Sequence, residues 1–89
     1  MTSKQKELAR HALGLPNSKG MSYRNHYATD MNSPESKHLM ALVKSGMADV
    51  IEADTDRTLF FFHLTKSGAM AALNEHEKLC PEDFPEATK

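Results

Sequence analysis

The sequence predicts a small α+β domain with two or three helices, one β-hairpin and a C-terminal helix. Three observations carry this. Apolar residues recur at helical spacing in three segments, each preceded by a Ser or Thr that can cap a helix. The aromatic run Thr58–Leu64 follows a turn rich in short acids, as the second strand of a hairpin does. The chain has 89 residues, enough for one modest core and no second one.

The first helix is expected from Thr2 to Leu13. Thr2 with Gln5 fits a capping box, and Leu8, Ala9, Ala12 and Leu13 form one narrow apolar stripe. Gly14 before Leu15-Pro16 stops it. Residues 17–32 are polar and leave two readings open: a short helix capped by Ser22, with Met21, Tyr23, His26 and Tyr27 along one face, or a loop that lays both tyrosines on the core. The next helix is better marked, with Ser33 as N-cap, Pro34 at N1, Leu39, Leu42 and Val43 as its apolar stripe, and Gly46 as its end. A strand from Ala48 to Ala53, a turn at residues 54–57 and a strand from Thr58 to Leu64 make the hairpin. Thr65 caps a last helix that carries Ala69, Met70 and Leu73 and runs on toward His76. Residues 1–80 are expected to form the domain, and 81–89 a mobile acidic, proline-bearing tail in which only Phe84 docks.

Composition bounds the function. With 39% hydrophobic and 26% charged residues, this is neither a collagen, a disulfide scaffold nor a disordered chain. No apolar run approaches the ~18 residues of a membrane helix, so no membrane partner is expected. The one cysteine, Cys80, cannot make an internal disulfide, which fits a cytoplasmic setting. The net charge of −1 hides an asymmetry: residues 1–44 carry a net +4 and residues 45–89 a net −5. A basic half can form a polyanion-binding face, or the two halves can attract each other or a second copy of the chain.

The order helix, polar segment, helix, hairpin, helix resembles that of a winged-helix module. Leu42-Val43-Lys44-Ser45-Gly46-Met47-Ala48 looks like the end of a recognition helix turning into a first wing strand. Phe62-His63-Leu64-Thr65-Lys66-Ser67-Gly68-Ala69 resembles the L-T-x-x-G stretch that closes the wing in MarR- and PadR-like regulators. Residues 39–73 carry this likeness, which implies a DNA-binding regulator. A second resemblance spans Leu8–Leu15, Ser22–Tyr27 and Leu64–Gly68. It is to short phage and prophage proteins, and it implies an accessory protein of that origin without an activity.

The nucleic-acid contacts expected on this reading are Lys19, Tyr23, Arg24 and Asn25 in the polar segment, and Lys37, His38 and Lys44 on the second helix. Duplex DNA would be the partner. The wing tip departs from the pattern. Glu52, Asp54 and Asp56 outnumber Arg57 there, and acids beside phosphates forfeit the counterion release that supplies affinity. The rival is therefore a module that engages a host protein, as an inhibitor or adaptor, through the acidic hairpin tip with Asp54 and Asp56 and through the Tyr23–Tyr27 segment, Tyr27 included. Phe61 must point away from Phe60 and Phe62, since a strand alternates faces. The C-terminal helix or a homodimer is expected to cover it.

No chemistry is expected. There is no Gly-rich phosphate loop, G-x-S-x-G or H-E-x-x-H, so the protein reads as a non-enzyme without a cofactor. His76 and Cys80 stand at i, i+4 on the expected last helix. The other four histidines are scattered, and a structural zinc needs four close ligands, so no metal is expected. Asp54-x-Asp56 lacks the Gly and distal Glu of a calcium loop.

Overall fold

In the computed structural model, which describes residues 1–52 and 59–84, the elements run α1 (Ser3–Leu13), β1 (Tyr27–Asp30), α2 (Pro34–Lys44), β2 (Ala48–Glu52), β3 (Leu59–Leu64) and α3 (Lys66–Ala72). Each helix begins at the hydroxyl that the sequence offered. Thr2, Ser33 and Thr65 accept from the backbone N–H of Gln5, Ser36 and Gly68 at 3.1, 3.3 and 3.2 Å. Such a cap satisfies one of the free N–H groups of a first helical turn. The capping box is complete, because Gln5 Oε1 also accepts from Thr2 N–H at 2.9 Å. Gly14 ends α1 with φ at 80°, donating to the carbonyls of Arg10 and His11.

The sheet is antiparallel in the order β1-β3-β2. The architecture is thus the expected small α+β domain, compatible with a winged-helix-like arrangement, and one helix, α2, stands between β1 and the hairpin. Leu8 and Leu13 from α1, Leu39 and Leu42 from α2, Ala48, Phe62 and Leu64 from the sheet, and Ala69 and Ala72 from α3 share one core. Leu79 and Phe84 close it, Phe84 being the tail residue expected to dock. The acidic turn with Asp54 and Asp56, and residues 85–89 of the tail, lie outside the described residues.

The polar segment 17–32 forms no helix. Its backbone is held by distant partners instead. Tyr23 and His26 N–H donate to the carbonyls of Leu13 and Ala12, both at 3.1 Å, which occupies carbonyls that the end of α1 leaves free. Ser22 N–H donates to Lys78 O, and Lys78 N–H to Gly20 O, each at 2.9 Å. Ser22 caps nothing; it is buried, and its Oγ accepts from Cys80 N–H at 2.8 Å. Residues 27–30 then join β3 as its second neighbour.

The last helix is shorter than its apolar pattern. At Leu73 the backbone turns extended, and Glu77 draws the chain into a turn by accepting from Asn74 N–H at 2.6 Å. His76 lies in that turn with φ at 71°, so His76 and Cys80 share no helix face. The L-T-x-x-G stretch is a joint between α3 and the end of α2. Thr65 Oγ1 donates to Gly46 O at 2.9 Å, and Thr65 N–H to Met47 O at 3.0 Å. Gly68 packs so closely there that a Cβ would sit 1.9 Å from Met47 O.

Candidate nucleic-acid interface

Leu39 and Leu42 bury one side of α2, which turns Lys37 and Lys44 outward. These two lysines are seven residues apart, two helical turns, and so share a face roughly 10 Å long. They flank a shallow groove of about 400 Å³ with Met31, Met40 and Ala41. Neither makes an ion pair with a described residue. His38 is half-buried beside them and does not line the groove.

The second group lies before β1. Arg24 makes no ion pair with Asp30. Its Nε and Nη2 donate to the His11 carbonyl at 3.2 and 2.7 Å, at the C-terminal end of α1 where the helix dipole is negative. The guanidinium carbon stands 5.3 Å from the centre of the Tyr23 ring. Tyr23 itself is 62% exposed, and Lys19 is exposed nearby.

Two of the expected contact residues, Asn25 and Tyr27, are engaged within the fold. The Asn25 carboxamide accepts from Leu64 N–H at 2.8 Å and donates to Leu64 O at 3.0 Å. It thereby continues the β1–β3 ladder with a side chain, and it is not free to read a base. Tyr27 is half-buried against the core, with its ring edge-on to His11 at 5.1 Å. Burial, together with Glu35 and Glu7, pushes its hydroxyl pKa up. Phe61 does point away from the core, in a row across the sheet with Ala28 and Ile51. The C-terminal helix does not cover this face, because α3 packs through Ala69 and Ala72 into the core on the other side. Ile51 is 54% and Leu59 37% exposed there.

The expected nucleic-acid residues that remain accessible therefore fall into two groups along the chain: Lys19, Tyr23 and Arg24 before β1, and Lys37 and Lys44 on α2 after it. Sequence reasoning missed what the other basic residues do. Lys4 pairs with Glu7 at 3.6 Å, a spacing visible in the sequence. Arg10 forms a fork with Glu77, Nη2 to Oε2 at 2.7 Å and Nη1 to Oε1, and Nη1 also donates to Ala72 O at 3.0 Å. Both side chains are largely buried, and the Arg10 hydrogen bonds hold the Glu77 carboxyl down at about 2. No local signal marks a pair separated by 67 positions.

Among the described residues, no three His, Cys, Asp or Glu side chains come together as metal ligands, and no helix is long and apolar enough to cross a membrane. Compared with family models, curated proteins and solved structures, the chain matches none of them.

Proposed function

We propose that this is a non-enzymatic accessory protein of the phage or prophage kind that regulates by binding DNA, with α2 as its main contact. The observation that carries this is the pair Lys37 and Lys44, on one helix face and without carboxylate partners among the described residues. Lysines so placed neutralise phosphates and release condensed counterions. Two such contacts give a salt slope of roughly −2, and adding Lys19 and Arg24 brings it toward about −4. The test is a salt titration of binding to random duplex DNA. Binding should weaken with salt along a slope in that range, and Lys37→Ala/Lys44→Ala should flatten the slope by about 2. Absence of binding at low salt overturns the reading.

The exposed Ile51 and Leu59, beside the half-buried Phe61 on the outer sheet face, support a second reading, a module that engages a host protein through that face. Ile51→Lys separates the two. It abolishes a contact made through that face and leaves the α2 contact in place.

A further inference from the structure

Tyr23 is held firmly and yet left in solvent. Its N–H donates to Leu13 O at 3.1 Å, and its ring lies so close over Gly14 that a Cβ there would sit 2.3–2.7 Å from three ring carbons. Arg24, locked by two hydrogen bonds to the His11 carbonyl, stands against the same ring. Beside Tyr23 is a hollow of about 400 Å³, walled by Lys19, Met21, Tyr23 and Cys80. Its walls are fixed as well. The Asn17 carboxamide donates to Gly14 O and Met21 O and accepts from Lys19 N–H, and Ser22 holds the Cys80 backbone. Among the described residues, no acidic side chain lines it.

We propose that this hollow takes one unpaired nucleobase of a single strand, with Tyr23 as the stacking platform and Lys19 and Arg24 as contacts to the flanking phosphates. The inference rests on the nucleic-acid reading and adds a substrate class to it. A preformed aromatic wall flanked by two cations, with no acid among the described residues that line it, matches a flat ring carried on an anionic chain. Every base offers a π-face, so stacking of this kind is tolerant of sequence. Bases inside a duplex are already stacked on one another, so the site selects strands, overhangs or opened segments. Rigidity matters because an aromatic fixed before binding loses little freedom when the base arrives.

The experiment compares three probes on the full chain: a twelve-nucleotide thymidine strand, a strand of equal length with abasic sites throughout, and a twelve-base-pair duplex. The thymidine strand should bind about ten-fold tighter than the abasic one, which carries the same phosphates and lacks only the bases. Tyr23→Phe should keep that preference and Tyr23→Leu should erase it. The chain has no tryptophan, so Tyr23→Trp adds a single reporter whose emission the thymidine strand should quench and the abasic strand should not. If the two strands bind the wild-type protein equally while the duplex binds through Lys37 and Lys44, the base site is overturned and the DNA reading stands. If no probe binds at low salt, both fall.

Discussion

Arg10 and Glu77 bind the two ends of the chain together. The fork links α1 to the turn after α3, and its Nη1 bond to Ala72 O also caps the last turn of α3. The Glu77 carboxyl, held at about 2, lies below its ordinary 4.5, chiefly because Arg10 hydrogen-bonds the charged form. A depressed carboxylate contributes stability that is full above the unfolded value and lost as pH falls toward the folded one. Glu77→Gln should therefore destabilise the protein by about 1–3 kcal/mol at pH 7. The gap from wild type should close between pH 4.5 and about 2. Urea midpoints at pH 7, 4 and 2.5 measure this, and a gap that persisted at pH 2.5 would assign the effect to shape rather than charge. In the sequence Arg10 was visible only as one more cation of a basic half, since nothing local joins it to Glu77.

Element boundaries were readable wherever the partner was close in sequence. Thr2, Ser33 and Thr65 cap groups three residues away, and all three helices start where those hydroxyls stand. The segment before β1 was unreadable for the opposite reason, because its backbone bonds run to the end of α1 and to Lys78. The four residues of β1 are too few to show a period, and the turn at Asn74–Glu77 overrode the apolar pattern that pointed past Leu73. Motif and geometry meet most closely at Gly68. In the sequence it ends a resemblance; in the structure it is the point where α3 touches the Met47 backbone. Gly68→Ala should cost about 3 kcal/mol, because the obstacle is a main-chain carbonyl that cannot move aside. Ser67→Ala, at an exposed neighbour, should change stability by less than about 0.5 kcal/mol. Paired denaturant melts of the two variants read the difference, and equal costs would mean that α3 shifts away from Met47 without loss.

At the scale of the molecule the sheet is one-sided. All three helices contribute to the core against Phe62 and Leu64, while Ala28, Phe61 and Ile51 cross the other face. The alternation of Phe60, Phe61 and Phe62 made that division legible, and what covers Phe61 was not, since a cover comes from elsewhere in the fold or from another chain. The charge asymmetry resolves in a similar way. Arg10 with Glu77 is an attraction between the basic and acidic halves, whereas Lys37 and Lys44 pair with no carboxylate among the described residues, and the proposed DNA contact rests on them. One-sidedness has a direct consequence for stability. Phe62, 1% exposed, is expected to cost about 3–5 kcal/mol when changed to Ala. Ile51, on the neighbouring strand and 54% exposed, should tolerate Thr within about 0.5 kcal/mol, because Thr keeps the β-branched shape and little burial is lost. Urea midpoints measured at two protein concentrations test both. If Ile51→Thr instead costs more than 1 kcal/mol, and the cost grows with protein concentration, the outer face is covered in solution by a second copy of the chain.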